Sequence, residues 1–180
     1  MNSRVWVVLT AGVTMLAVLL TACDRGGWDP ERGAPSLRPA FGARVTDGQL
    51  HIWTGSPCDS ATEINLDFTP NKGRLVLAAP AGETVRVQYL TLGGPYPGLE
   101  VRQPLPEDFD WRSAERLRLW VNGHPGGLGS SSEIAEIISG SAEHPQDTFW
   151  FQDVGWLSRS QVAEEDGKTF LATCTPDPAR

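Results

Sequence analysis

The stretch Arg44-Val45-Thr46-Asp47-Gly48-Gln49-Leu50-His51-Ile52-Trp53 decides the fold class of this chain. Apolar and polar residues alternate on both sides of Asp47-Gly48, with the period of two that is typical of a half-buried β-strand. Asp-Gly is favoured in two-residue hairpin loops because both turn positions need a positive φ angle. The stretch therefore predicts two antiparallel strands joined by a tight turn.

The same alternation continues on the C-terminal side of this hairpin. It predicts further strands over six segments, which are 62–69, 74–79, 83–92, 115–121, 148–152 and 168–174. Short strands separated by turn residues favour an antiparallel β-sandwich or a barrel. We expect residues 44–180 to form one β-rich globular domain, since a chain of this length supports a single hydrophobic core.

One short helix is predicted between the strands. Ile134, Ile137 and Ile138 recur at helical spacing, so an isoleucine face should pack on the sheet. The segment Ser130–Glu133 matches the capping-box pattern before this helix, and Gly140 is suited to end it. The predicted fold is thus mostly β with one short helix.

The N-terminal part of the chain has a different composition. Arg4 precedes an apolar run from Val5 to Leu20, which is short for a membrane span and fits the apolar core of a secretory signal peptide. Residues 24–43 contain glycines and prolines without an apolar period, as flexible linkers do. We expect a signal peptide over 1–22 and a flexible tether over 23–43.

Leu20-Thr21-Ala22-Cys23 resembles the lipobox of bacterial lipoproteins, in which an aliphatic residue and two small residues precede a cysteine. The resemblance implies that Cys23 is acylated and becomes the first residue after cleavage. It also implies a lipid anchor in the cell membrane and a domain on the extracytoplasmic side. An uncleaved anchor helix is the alternative. Thirteen arginines against two lysines indicate a GC-rich genome and favour an actinobacterial source.

The predicted domain contains two cysteines, Cys58 and Cys174. An even number of cysteines in an oxidising compartment favours a disulfide. This bridge would close a long loop and stabilise the fold by about 4–5 kcal/mol in the chain-entropy model. The alternative is a reactive thiol at Cys58, which would need a neighbouring base.

Charge and motif content exclude several classes of function. The net charge of −7 argues against a nucleic-acid partner, because phosphate backbones repel an acidic surface. Zinc-type spacings of histidine and cysteine do not occur, and neither a metal site nor a cofactor is predicted. The Gly-x-Ser-x-Gly motif of serine hydrolases does not occur either, so no catalytic residue is assigned. His144 beside Glu143 is the best alternative for metal capture.

The glycine-rich segment 122–130 is one candidate binding region. Glycine loops that lead into a helix can hold anions with their backbone N–H groups, and loops on rigid β scaffolds often carry function. His124, Gly126, Gly127 and Ser130 are the candidate binding residues of this loop. A hydrolase that combines His124 with one of the loop serines is an alternative.

Tryptophans form the second candidate. Exposed tryptophans on a β-sandwich can stack on sugar rings or anchor a protein partner, whereas buried ones fill the core. Phe149-Trp150-Phe151 places aromatic rings on both faces of one strand, and Trp150 and Trp156 are therefore candidate binding residues. We expect a non-enzymatic binding or assembly module for an envelope protein, glycan or lipid. An envelope hydrolase and a metal or small-anion capture protein are the alternatives.

Overall fold

The structure, a computed structural model, describes residues 34–70, 72–124, 127 and 129–180. The predicted signal peptide and the acylation site Cys23 lie outside the described residues. The described strands are β1 (Pro39–Ala40), β2 (Gly42–Thr46), β3 (Gln49–Ala61), β4 (Glu63–Thr69), β5 (Gly73–Ala78), β6 (Val85–Thr91), β7 (Glu100–Gln103), β8 (Arg116–Asn122), β9 (Ser130–Glu133), β10 (Thr148–Phe151), β11 (Gly155–Ser158) and β12 (Leu171–Ala172). The described helices are α1 (Ile134–Ser141) and α2 (Arg159–Glu165), with one 3₁₀ turn at Trp111–Ser113.

Two five-stranded antiparallel sheets pack face to face. Sheet I has the order β11-β10-β2-β3-β6, and sheet II has the order β7-β5-β4-β8-β9. The facing sides form the core, as the alternation in β8 shows, where Leu117, Leu119 and Val121 are buried. β1 and β12 form a separate parallel pair. The predicted β-sandwich is confirmed, and the sheets do not close into a barrel.

The hairpin predicted around Asp47-Gly48 is present. Val45 pairs with Leu50 and Thr46 pairs with Gln49, so two residues form the loop. Asp47 and Gly48 have φ angles of 50° and 75°, as a two-residue hairpin loop requires. The local sequence was sufficient here because both the turn and the alternation depend on neighbouring residues only.

The folded unit begins before Arg44, so the expectation of a tether through Ala43 is wrong for its last residues. Phe41 is fully buried in the core, and the chain around it forms strand β1 and the start of β2. A Cβ atom at Gly42 would lie 2.8 Å from the Phe151 ring, so this glycine permits close packing rather than flexibility. Composition alone does not distinguish these two uses of glycine.

The predicted helix is present, but its predicted cap is wrong. Ser130–Glu133 forms strand β9, and Glu133 precedes helix α1 without a capping hydrogen bond from its side chain. Pairing with β8 fixes this segment as a strand. A capping box does occur at helix α2, where Ser158 Oγ accepts from Gln161 N and Gln161 Oε1 accepts from Ser158 N. This second helix was not predicted, although the Ser-x-x-Gln pattern was visible.

Several other strands differ from their predictions. β7, β9 and β11 were not predicted, because they are short and do not alternate apolar with polar residues. The C-terminal strand is confined to Leu171–Ala172, where Asp166 Oδ1 accepts from the backbone N–H of Ala172 at 2.7 Å. None of the helices in the described part of the chain has the length and apolar character needed to cross a membrane.

The predicted disulfide joins Cys58 to Cys174, whose Cα atoms are 5.3 Å apart. Both cysteines are buried in the core. The bridge ties β3 of sheet I to the chain that follows β12. Because both thiols are consumed in the bridge, the alternative of a reactive Cys58 thiol is wrong.

Arg44 connects strand β2 to the chain after helix α1. Its side chain is buried and donates to the carbonyl oxygens of Ser141, Pro145 and Thr148 at 2.7, 2.8 and 3.0 Å. Burial lowers the pKa of Arg44 from its usual value, and the nearby charge of Asp147 acts in the opposite direction. The carbonyl oxygens accept the hydrogen bonds of this buried cation, and the charge of Asp147 stabilises it without a direct ion pair.

Candidate functional site

Trp120 is half-exposed on the outer face of sheet II, with 41% of its surface accessible. It lies in β8, where outward positions alternate with the buried Leu117, Leu119 and Val121. Among the tryptophans that the structure describes, Trp120 is the exposed one. The sequence-based candidates did not include it, although its place in the alternating segment predicts an outward side chain.

A chain of hydrogen bonds runs beside Trp120. The indole Nε1–H donates to Asn122 Oδ1 at 2.9 Å, and Asn122 Nδ2 donates to Glu63 Oε1 at 3.0 Å. Asn65 Nδ2 donates to the same carboxylate oxygen at 2.8 Å, and Arg74 donates to Asn65 Oδ1 at 2.8 Å. The polar groups around the ring are therefore held in fixed positions by one another.

These side chains line a shallow depression of about 270 Å³ across β4, β5 and β8. We call this region the Trp120 surface, and it comprises Glu63, Asn65, Asp67, Arg74, Arg118, Trp120 and Asn122. Strand register explains why they meet, because Asn65 pairs with Trp120 and Glu63 pairs with Asn122. Residues more than fifty positions apart in the chain thus become neighbours on one face.

Charges of both signs occur at the Trp120 surface. Asp67 Oδ1 lies 3.3 Å from Arg74 Nε, and this ion pair is exposed. Arg118 lies over the indole, with its guanidinium carbon 5.1 Å from the ring centroid. Its side chain forms no hydrogen bond or ion pair with the described residues. An exposed cation–π contact contributes about 0.5–1 kcal/mol, so Arg118 can move off the ring at small cost.

The predicted glycine loop borders this surface. A Cβ atom at Gly129 would lie 2.7 Å from Trp120 Cε3, so the indole rests against the bare glycine backbone. Gly127 N donates to His124 O at 2.9 Å, which forms a turn directly after β8. The candidate Gly126 lies outside the described residues. The loop prediction located the right region but not the side chain that is exposed there.

Ser130 lies at a different place from the Trp120 surface. It lines a depression of about 300 Å³ together with Arg38, Gln152 and Asp153. Its hydroxyl is buried and has no hydrogen-bond partner in the described structure. A nucleophilic serine needs a base within hydrogen-bond reach, and the Ser130 hydroxyl has none. The hydrolase alternative with Ser130 as the nucleophile is therefore not supported.

Trp150 and Trp156, the tryptophans chosen from the sequence, pack against each other across β10 and β11 with centroids 6.0 Å apart. The imidazole of His144 stacks on Trp156 at 4.7 Å. A Cβ atom at Gly140 would lie 2.6 Å from Trp156 Cζ2, so the ring also contacts helix α1. Trp156 therefore packs helix α1 against sheet I. Neither Trp150 nor Trp156 is as exposed as Trp120.

The metal-capture alternative has no ligand cluster in the structure. Within the residues described, no three histidine, cysteine or acidic side chains lie close enough together to hold a metal ion. His144 is stacked on Trp156, as noted above.

The Trp120 surface combines an apolar ring with groups that both donate and accept hydrogen bonds. Glu63 and Asp67 accept, Arg74 donates, and Asn122 does both. This combination can hold a ligand that presents one apolar patch and several hydroxyl groups. Comparisons of the chain with protein-family models, with curated proteins and with solved structures find no match.

Proposed function

We propose that this protein is a membrane-anchored lipoprotein of the bacterial envelope whose β-sandwich domain binds a glycan at the Trp120 surface. The observation that supports the glycan is the half-exposed indole at the end of a fixed chain of hydrogen-bonded polar side chains. The domain is thus proposed as a non-enzymatic binding module, and of the three partner classes expected from the sequence (an envelope protein, a glycan or a lipid) the glycan is chosen.

The ring of Trp120 suits the apolar face of a sugar. A pyranose carries C–H groups on its faces and hydroxyl groups around its rim. An indole offers a large flat apolar area at a small cost in conformational entropy. Because Gly129 lies under the ring and Asn122 accepts its N–H, the indole is already oriented before a ligand arrives. Preorganisation of this kind raises affinity.

The polar neighbours suit the hydroxyl rim of the same sugar. Each hydroxyl can donate to the carboxylate of Glu63 or Asp67 and accept from Arg74 or Asn122. These partners line the same depression as the ring. A lipid surface is a poorer match, since the depression is mainly polar and the chain is acidic. Protein interfaces are usually larger and more apolar at their centre.

The glycan proposal is tested by cosedimentation of the processed protein, in detergent, with insoluble chitin, cellulose and peptidoglycan. We expect binding to at least one of these glycans, and we expect Trp120→Ala to weaken it about tenfold or more, because burial of the indole is lost. Ile138→Ala is the matched control, since Ile138 is an exposed apolar side chain on helix α1. Equal binding by Trp120→Ala and the unaltered protein would contradict the proposal.

The anchor is tested separately by intact mass spectrometry of the protein purified from its native membrane. A mass that corresponds to residues 23–180 plus acyl chains would support acylation at Cys23. A mass that includes residues 1–22 would contradict the lipoprotein part of the proposal, and the glycan part would stand on its own test.

A further inference from the structure

A cleft of about 390 Å³ lies on the outer side of sheet I, against helix α2. Trp53 and Tyr89 form its inner wall, the Gly55-Ser56-Pro57 backbone forms one rim, and Arg159 forms the other. Its volume lies in the range of small-molecule sites. This region, called the Tyr89 cleft below, is on the opposite sheet from the Trp120 surface.

Arg159 provides a positive charge without a protein counter-charge. Seven arginines of the described chain form ion pairs, but the side chain of Arg159 forms neither an ion pair nor a hydrogen bond with the described residues. Its guanidinium carbon lies 5.2 Å from the centroid of the Tyr89 ring, which holds the cation at the mouth of the cleft. A guanidinium in this position can bind a carboxylate with two parallel hydrogen bonds.

Trp53 and Tyr89 form a pair of aromatic rings at the inner wall of the cleft. The side chain of Trp53 is almost completely buried, and its indole N–H has no hydrogen-bond partner. The indole lies next to Tyr89, with centroids 5.8 Å apart and planes nearly parallel. A ligand that enters the cleft therefore lies beside this pair of rings, and the indole signal of Trp53 reports its binding.

Asp166 limits the charge of the ligand. Its carboxylate lies in the cleft wall but is engaged by the backbone N–H of Ala172 and by the hydroxyl of Thr175. It does not pair with Arg159, so the cleft carries one positive and one negative charge. A singly charged ligand on Arg159 is tolerated near Asp166, whereas a doubly charged phosphate is repelled more strongly.

We propose that the Tyr89 cleft binds a small ring-bearing monocarboxylate. The carboxylate pairs with Arg159, and the ring of the ligand lies against the inner wall formed by Trp53 and Tyr89. Val162 and Ala163 of helix α2 provide apolar contact for the ring. This site is separate from the proposed glycan surface and does not depend on it.

The experiment is an NMR titration of the full processed chain with two matched pairs of probes. Benzoate is compared with benzamide, and glucuronate is compared with glucose, because each pair differs in the carboxylate. We expect at least one of the two carboxylates to shift the indole N–H signal of Trp53, assigned with Trp53→Phe, and the neutral partners not to shift it. We expect Arg159→Gln to weaken binding about tenfold or more, through loss of a charge-assisted pair.

Arg102→Gln is the control, since it removes another exposed arginine, on sheet II. It should bind benzoate as the unaltered protein does. Equal shifts by benzamide, unchanged affinity in Arg159→Gln, or tighter binding of inorganic phosphate would each overturn the proposal. So would a shift confined to the Trp120 indole. If Trp53→Phe does not fold, the exposed Arg159→Gln variant still decides the outcome.

Discussion

The Trp120 surface and the Tyr89 cleft lie on opposite sheets, and each contains an arginine over an aromatic ring. In each, an aromatic ring that is 41% exposed lies beneath an arginine without a carboxylate partner among the described residues. Trp120 stands on a regular antiparallel face, with its polar neighbours in strict register. Tyr89 stands where the pairing of β3 with β6 shifts register twice, beside a helix and the disulfide.

The regularity of one face and the irregular pairing at the other show which interactions position the side chains of each site. On the regular face, alternation and register place the side chains, and a short-range chain of hydrogen bonds orients them. In the cleft, the position of each wall depends on a distant segment. Helix α2, the C-terminal chain and the Cys58–Cys174 bridge all have to be in place. The cleft should therefore be more sensitive to changes made far from it.

The largest effect is expected from loss of the disulfide. The bridge closes a loop with a sequence separation of 116, so its removal should lower the free energy of unfolding by about 4 kcal/mol. Urea denaturation with and without dithiothreitol measures this change. The double variant Cys58→Ser with Cys174→Ser should not respond to the reductant. Where the reduced protein is still folded, benzoate binding should fall more than glycan binding. A larger loss of glycan binding would contradict the view that the cleft depends more on distant segments than the Trp120 surface does.

Gly55→Ala tests the rim of the cleft. Gly55 has a φ angle of +82°, and an added Cβ would lie 2.6 Å from the Cβ of Ala172. We expect a loss of about 2–3 kcal/mol from backbone strain and overpacking together. Gly82→Ala is the matched control, because Gly82 has a φ of +80° with open space around it, and it should cost about 1 kcal/mol. Equal urea midpoints for the two variants would show that the contact with Ala172 is not tight.

Gly129→Ala tests the support of Trp120. Its Cβ would lie 2.7 Å from Trp120 Cε3, so the indole must shift. We expect glycan binding to weaken about fivefold, which corresponds to roughly 1 kcal/mol, with little change in the urea midpoint. Cosedimentation and the tryptophan emission maximum measure the two effects. Ser131→Ala, a change at an exposed position of strand β9, which directly follows Gly129, should leave both unchanged.

The smallest effect is expected at the hydrogen bonds that join Ser36, before β1, to Asp177 near the C-terminus. Asp177 accepts hydrogen bonds from the Ser36 hydroxyl, then from the backbone N–H groups of Ala179 and Ser36, and these bonds lower the pKa of Asp177. Since the folded-state pKa is below the unfolded value of about 3.9, the stabilisation is present above that pH and lost as the pH falls further.

Asp177→Asn should therefore reduce the thermal midpoint slightly at neutral pH, and the difference from the unaltered protein should shrink in acid. Thermal melts across the acid range measure it. A difference that persists unchanged at the lowest pH would show that the carboxylate charge is not responsible. Because the C-terminal chain contacts Ser56 through Thr175, benzoate binding at the cleft should respond to this variant more than glycan binding does.

Local patterns predicted part of the fold and little of the site. Alternation and turn residues predicted the hairpin and most of the long strands. The presence of two cysteines in the domain predicted the disulfide. The strand nature of Ser130–Glu133 was not predicted, because pairing with β8 overrides a capping pattern. Trp150 and Trp156 were chosen because Phe149-Trp150-Phe151 places aromatic rings on both faces of one strand, yet packing against helix α1 covers Trp156. The same rule that predicted β8 also places Trp120 outward, but it does not say what lies beside it.

By itself the sequence determined the features that depend on neighbours in the chain. These are the period-two strands, the Asp47-Gly48 turn, the helical spacing of the buried Ile134 and Ile137, and the presence of two cysteines available for pairing. Ile138, which was expected on the same packed face, is exposed. Tertiary structure alone decided which outward side chains share a face and which buried groups have no partner. Register across β4 and β8 joins Glu63 to Asn122, and helix α2 brings Arg159 to Tyr89. Burial and electrostatics depend on such distant contacts, and no local pattern encodes them.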